Sequence, residues 1–324
     1  MRLSIYLGSR CNMNCKYCHR VPDTTEKSVV SDKLITHIKN LYKTNDKLVI
    51  RFMGGEPTLY FDNIKQIVDI APNAIFNICT NGKELYKYID YFRDHKFNLC
   101  ISYDGNDEYD LRGYDPFTNL INYPYIQTST TIYHGNTDLK KIIKNLNKKE
   151  LIVGRRLSFF PHIIHYTNDM NKKYALTKED AISYISQFKE LVSNYMSDYF
   201  KYGLVNIRLQ GMFTQLYRQY KFGFNKGETY CVNYNSEKCD INGNFYDCLY
   251  IRDDALPESN YIEKQYELLE SKFPNCLNCE VYSMCGGACI KSKDHDIECL
   301  IYKSLYSWFK VEFEKWRSNY GNYR

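Results

Sequence analysis

Short apolar runs and amphipathic stretches alternate along the first half of the chain. Leu3-Ser4-Ile5-Tyr6-Leu7 has strand length, and residues 47–53, 74–79, 98–103, 125–133 and 157–164 repeat the type. Between them, Leu34, Ile35, Ile38 and Leu41 recur at helical spacing behind Ser31, a residue suited to an N-cap. Residues 63–70, 84–92 and 138–146 read as further helices. Six strands interleaved with helices predict parallel βα units, closed or partly closed into a barrel. In that architecture the active site lies on the loops leaving the C-terminal strand ends. Four polar or Gly-rich turns follow strands here: residues 11–18, Gly54-Gly55-Glu56, Thr80-Asn81-Gly82 and Ser102-Tyr103-Asp104-Gly105. They are expected to converge on one rim.

Further along, Thr177 and Asp180 stand in capping-box register before an apolar face of Ile182, Ile185, Phe188 and Val192. Residues 205–209 read as a strand leading out of the barrel. After about residue 228 the periodicity fades and cysteines crowd in, which places a domain boundary there: 1–227 and 228–324. Residues 300–316 form an amphipathic helical pattern. There is no internal repeat and no low-complexity segment.

Composition narrows the class. In 324 residues, 44% hydrophobic and 25% charged residues suit a soluble globular protein. No apolar run reaches membrane-spanning length, and no signal-peptide pattern opens the chain. Thirteen cysteines without a secretion signal imply a reducing, cytoplasmic setting in which clustered thiols bind metal. The net charge of +5 is spread along the chain without a basic stripe, so neither nucleic acid nor membrane is expected as a partner. The 32 tyrosines are expected to serve mostly in packing.

The chemistry starts at Cys11-Asn12-Met13-Asn14-Cys15-Lys16-Tyr17-Cys18. Three thiols on one loop suit a [4Fe–4S] cluster with one iron left open. A partial zinc site or scattered core thiols is the plainer alternative. The CX3CX2C spacing resembles the cluster loop of the radical S-adenosylmethionine (SAM) superfamily, in which SAM takes the open iron. The resemblance implies that Gly54, Gly55 and Glu56 hold the methionine end of SAM, with Glu56 facing the ligand amine. It also implies that Ser102 and Asp104 bind the ribose and that Tyr17 lies near the adenine. Arg112 is a candidate for the SAM carboxylate, or else a surface arginine.

The tail cysteines carry a second resemblance. Cys231, Cys239 and Cys248, with Gly243 between, and then Cys276, Cys279, Cys285, Cys289 and Cys299 match the spacing of the SPASM domain of peptide-modifying radical SAM enzymes. A zinc ribbon is the alternative, since CX2C pairs also suit tetrahedral zinc. The resemblance implies two auxiliary [4Fe–4S] clusters. One is held by Cys231, Cys239, Cys248 and Cys289, the other by Cys276, Cys279, Cys285 and Cys299. Cys79 and Cys100 then remain, both in apolar strand contexts that predict core packing. His162 and His165 near the sixth strand read as ordinary buried or solvent-facing histidines.

The fold expected is therefore an α/β partial (β/α)6 TIM-like barrel followed by a small cysteine-rich SPASM domain. The cofactors implied are three [4Fe–4S] clusters and SAM. The activity implied is hydrogen abstraction from a peptide by a 5′-deoxyadenosyl radical, most naturally ending in an oxidative C–C, C–S, C–O or C–N crosslink. Alternatives are oxidation of a small alcohol or of a Ser or Cys side chain, and an electron carrier without SAM chemistry. Leu249 follows Cys248 where sulfatase-maturing relatives carry an Asp, which counts against formylglycine formation. The expected partners are a leader-bearing precursor peptide and a one-electron reductant such as flavodoxin or ferredoxin. Because the chain starts at its first strand, either a separate leader-binding protein presents the peptide or the barrel and tail bind it directly.

Overall fold

The computed structural model describes residues 1–20, 28–105, 112–167, 169, 171–223, 235–250, 252, 254–272, 274–276, 278–285, 289, 291–293 and 295–321. Seven strands form one sheet: β1 (Arg2–Tyr6), β2 (Val49–Met53), β3 (Ile75–Thr80), β4 (Asn98–Ser102), β5 (Ile126–Ile132), β6 (Phe159–Ile163) and β7 (Ser236–Asp240). Their order is β6-β5-β4-β3-β2-β1-β7. The first six follow chain order, and the pairs β1–β2, β2–β3, β3–β4 and β5–β6 are parallel, as βα units demand. This is the partial-barrel topology expected from the alternation. The helices are α1 (Asp32–Thr44), α2 (Phe61–Ile70), α3 (Ile89–Asp94), α4 (Leu139–Val153), α5 (Lys178–Tyr202), α6 (Ile207–Phe222), α7 (Tyr261–Lys272), α8 (Tyr282–Cys285) and α9 (Asp296–Tyr320). Among the described residues no helix is long and apolar enough to cross a membrane.

The chain divides into two compact units. The first comprises Met1–Tyr103, Leu111–Gln127 and Cys231–Ser271. Its strands alternate. Ile50, Phe52, Phe76, Ile78, Leu99 and Ile101 are fully or almost fully buried on one face. Phe52 stacks with Phe76 at 6.2 Å and Phe97 at 6.0 Å, and Phe92 of α3 lies 4.8 Å from Phe97. Burying each such ring contributes roughly 1.5–3 kcal/mol. The other face carries Arg51, Asn77, Cys79, Asn98, Cys100 and Ser102, all half-buried. A parallel sheet packed by helices on both sides would be apolar on both faces; this one keeps one face polar. Ser31 caps α1 by accepting from the Leu34 amide at 3.2 Å, as expected.

In this unit β7 was not expected. Ser236-Glu237-Lys238-Cys239-Asp240 has no apolar alternation, and its strand form comes from parallel pairing with β1, Cys239 opposite Ile5. His37 of α1 holds the same segment through Glu237 at 2.7 Å, and reaches Glu258 at 3.4 Å. Helix α7 was likewise not foreseen.

The second unit comprises Asp104–Asp110, Thr128–Tyr230 and Lys272–Arg324. The capping box of Thr177 and Asp180 starts α5, and Gly203 ends it in the left-handed region at φ 68°. Tyr195 of α5, Phe213 of α6 and Phe309 of α9 form its aromatic core, with ring separations of 4.9 and 5.6 Å. Residues 205–209 are not a strand. Asn206 caps α6 by accepting from the Arg208 amide, and Leu209, Met212, Phe213 and Leu216 are buried at helical spacing. The five-residue window read as a strand was the first turn of a helix whose periodicity shows only further on.

Candidate cluster and cofactor site

The loop after β1 and the turn after β2 are interlocked in the first unit. The Gly55 amide donates to the Gly8 carbonyl at 2.9 Å and the Glu56 amide to the Arg10 carbonyl at 2.7 Å. A Cβ on Gly55 would stand 2.2 Å from the Arg10 oxygen and 2.4 Å from the Ser9 oxygen. A Cβ on Gly54, at φ 157°, would come within 2.7 Å of the Gly8 oxygen. The two glycines are thus required first by the approach of one backbone to another.

Glu56 is almost fully buried, and its carboxylate is spent inside the protein. One oxygen accepts from the Thr58 amide at 3.1 Å and from the Thr58 and Thr80 hydroxyls at 2.7 Å each; the other accepts from the Asn81 amide at 2.7 Å. Burial pushes its carboxyl up from the ordinary value against those four donors. Glu56 ties its own turn to Thr80-Asn81-Gly82. Asn81 carries the link onward: its side chain donates to Asn12 at 2.9 Å and lies 4.0 Å from the Cys11 sulfur.

Cys11, Cys15 and Cys18 are all half-buried, with the Cys18 amide donating to the Cys15 carbonyl at 2.9 Å. Burial pushes the Cys11 thiol up; a backbone hydrogen bond at Met13 and the charge of Arg20 act the other way. Arg112 does not stand apart on the surface: its Nη1 lies 3.9 Å from the Cys15 sulfur and its guanidinium 5.5 Å from the ring centre of the buried Tyr17. Arg20 lies over the Tyr250 ring at 4.6 Å, and its Nε and Nη1 are buried with no hydrogen-bond partner among the described residues. No motif along the chain marks Arg20 as part of the site.

Ser102 ends β4, half-buried on the polar face. Asp104, the first residue of the second unit, is fully buried: Oδ1 accepts from the Thr131 amide at 3.3 Å, and its carbonyl from Asn136 at 3.0 Å. Gly105 at φ 76° must be glycine, since a Cβ would stand 2.3 Å from Ile142.

Cys79 and Cys100 are not in the core. They pair in register across β3 and β4 on the polar face, both half-buried. A hydrogen bond from Cys100 brings the Cys79 thiol down to about 7, while that same bond and burial push Cys100 well above its ordinary value. Arg51, whose buried Nε has no hydrogen-bond partner among the described residues, acts on both thiols.

Of the tail cysteines, Cys231 lies outside the described residues. In the first unit Cys239 is fully buried on β7, where burial pushes its thiol well up, and Cys248 is half-buried. In the second unit Cys276, Cys279, Cys285, Cys289 and Cys299 are half-buried. The Cys279 amide donates to the Cys276 carbonyl at 3.0 Å. Burial pushes Cys299 up, and so do the neighbouring sulfurs of Cys276 and Cys279. Those three thiols therefore lie within electrostatic reach of one another. Among the described residues no three ligating side chains stand ready around a single ion. A cubane spreads its thiolates over separate irons, so half-buried thiols on short turns fit it better than a single-ion site.

The family model of the radical SAM superfamily matches residues 5–169. The radical SAM cyclopropyl synthase TigE of Paramaledivibacter caminithermalis is 22% identical over 89% of this chain and 67% of its own length. The probable GTP 3′,8-cyclase of Pyrococcus abyssi is 23% identical over 46% of this chain, which spans half of that protein. Among solved structures, anSMEcpe with bound AdoMet superposes with a TM-score of 0.69 at 20% identity, covering 98% of this chain and 99% of that one. Streptococcus suis SuiB bound to precursor peptide SuiA gives 0.61 at 15% identity, over 90% and 73% of the two chains. At such identities the superpositions speak for the fold. Strand order, the cysteine loop and the family match over half the chain agree: this protein belongs to the radical SAM superfamily.

Proposed function

We propose that the protein is a radical SAM/SPASM enzyme acting on a peptide and installing an oxidative crosslink. The observation that carries this is the interlocking of the Cys11–Cys18 loop with the Gly54-Gly55-Glu56 turn, which fixes three thiols beside a glycine cradle. When bound, a [4Fe–4S] cluster and SAM supply an electron and the 5′-deoxyadenosyl radical that takes a hydrogen atom from an unactivated C–H. Cys11, Cys15 and Cys18 would hold that cluster. Arg112 keeps a cation on the Cys15 sulfur, and Arg20 offers buried donors with nothing yet to bind, which suits a carboxylate. Gly54 and Gly55 are assigned to the methionine end of SAM, Glu56 positions their turn, and Tyr17, Ser102 and Asp104 are assigned to the nucleoside end.

The tail, residues 228–324, is assigned as the SPASM domain with two further clusters, on Cys231, Cys239, Cys248 and Cys289 and on Cys276, Cys279, Cys285 and Cys299. Fully cysteine-ligated clusters leave no iron open to substrate, which suits accepting the electron lost when a substrate radical is oxidised. A peptide substrate is supported by the fold shared with anSMEcpe bound to a Cp18Cys peptide and SuiB bound to SuiA. The matched GTP 3′,8-cyclases support a nucleotide instead, but they cover 46% of this chain, whereas TigE covers 89% of it.

Anaerobic reconstitution tests the reading. About 12 iron and 12 sulfide per chain are expected, on three cubanes. Replacing Cys11, Cys15 and Cys18 by Ala should remove about a third of the iron and all 5′-deoxyadenosine formation. Zinc with little iron would overturn the assignment.

A further inference from the structure

Helix α4 carries Lys144 and Lys148 one turn apart on an exposed face, with Leu151 on the next turn and Arg155 and Arg156 just past the Gly154 cap. With Glu150 they line an open cavity of about 720 Å³ in the second unit. Glu150 is the one acid in this lining, and it is already engaged. It is buried, paired with Arg208 and with Arg156 at 2.9 Å, and accepts from the Leu157 amide at 2.8 Å. Neither Lys144 nor Lys148 makes an ion pair among the described residues. Like charges at i, i+4 weaken a helix. Lys140 on the same helix shows the ordinary solution, pairing with Glu190 at 2.7 Å. Lys144 and Lys148 are thus set against one another with no ion-pair partner among the described residues.

The surroundings are apolar. Leu151 is 86% exposed. Arg208 brings the start of α6 to Glu150, and the chain entering that helix exposes Leu204, Val205 and Ile207. Lys144 and Lys148 next to exposed aliphatic side chains complement a chain of alternating acidic and apolar residues. A single-stranded nucleic acid calls for aromatic stacking platforms, and this lining has none.

We infer that this concavity docks an acidic, aliphatic-bearing segment of the peptide substrate, outside the part that reacts. The inference rests on the peptide reading above and supplies a recognition surface for it within the second unit. Carboxylates of the segment would pair with Lys144 and Lys148 while its apolar side chains cover Leu151.

The test is fluorescence polarisation on the full chain with a fluorescein-labelled synthetic peptide of alternating Glu and Leu. Binding is expected to weaken with added salt. Lys144→Glu/Lys148→Glu should raise Kd at least about tenfold. Leu151→Asp should raise it severalfold, and the same peptide with Gln for Glu should not bind. Circular dichroism checks that α4 persists, and Lys144→Gln/Lys148→Gln, which only removes charge, should fall between wild type and the reversal. Unchanged Kd in the folded reversal variant, or equal binding of the Gln peptide, would overturn the site. So would an RNA oligonucleotide of equal charge that displaces the probe better than unlabelled peptide. SAM cleavage by the unaltered protein is measured separately. Its absence with peptide binding intact would sink the radical reading and leave the docking site standing.

Discussion

At the residue scale, the Gly-Gly-Glu turn is a joint between two backbones before it is a ligand cradle. Gly55→Val puts a branched side chain where the Ser9 and Arg10 oxygens already lie, so the cysteine loop itself must move. The expected outcome is loss of SAM binding together with about a third of the iron, read by equilibrium dialysis and iron assay. A variant that keeps all its iron and still binds SAM would show that the loop tolerates the shift. The thiol pair on the polar face is a second residue-scale case. With Cys100 donating, Cys79 ionises near 7, so iodoacetamide should label it with a pH midpoint about there, ahead of Cys100. Cys100→Ala should move the midpoint upward, because burial is then unopposed by that donor; an unmoved midpoint would mean that the charges of Arg51 and Arg20 set it.

Among the elements, the joint most exposed to pH is the one between α1 and β7. Burial acts to lower His37, but its hydrogen bond to Glu237 and the charges of Glu237 and Glu258 outweigh it and hold the imidazole above its ordinary value. Its folded pKa lies above the unfolded one, so its stabilisation is complete below about pH 6.5. It is lost as the pH rises through the folded value. Thermal unfolding should therefore separate wild type from His37→Asn most at pH 6 and least on the alkaline side. A gap that widens with pH would contradict the assigned sign. Lys33, which reaches Glu258 at 3.6 Å, competes for one carboxylate and should mute the effect slightly.

At the scale of the whole molecule, the question is what the tail contributes to the reaction. If the cluster assigned to Cys276, Cys279, Cys285 and Cys299 accepts the substrate's electron, a Cys276→Ala/Cys279→Ala variant should still form 5′-deoxyadenosine and make little crosslinked product. Electron supply to SAM would need only the cluster assigned to Cys11, Cys15 and Cys18. A metal site and its fold are coupled, so residual iron and circular dichroism must accompany the assay. Full crosslinking by a folded variant would assign the outer cluster a structural role and favour a redox-neutral reaction. The acidic-peptide site belongs to this scale too, since α4 and the start of α6 meet only in the folded unit.

The sequence by itself determined the elements that repeat a period and the residues whose chemistry is local. Six strands, the Ser31 cap, the Thr177–Asp180 box and the cysteine loop are all set by neighbours within a few residues, so they are legible along the chain. Tertiary structure decided what depends on partners far away. β7 is a strand because β1 offers it a ladder, not because of its own pattern. Residues 207–209 start a helix because Leu209, Met212 and Phe213 bury one side of it. Glu56 could be read from its motif as facing a ligand; the hydroxyl of Thr80 and the amide of Asn81, some 25 positions on, turned its carboxylate inward. Cys79 and Cys100 looked like core residues because their sequence neighbours are apolar, yet strand alternation set both on the polar face and register set them side by side. A one-dimensional reading records what each residue is and how it repeats. Which distant group fills its valence of hydrogen bonds and charge is fixed only when the chain closes on itself.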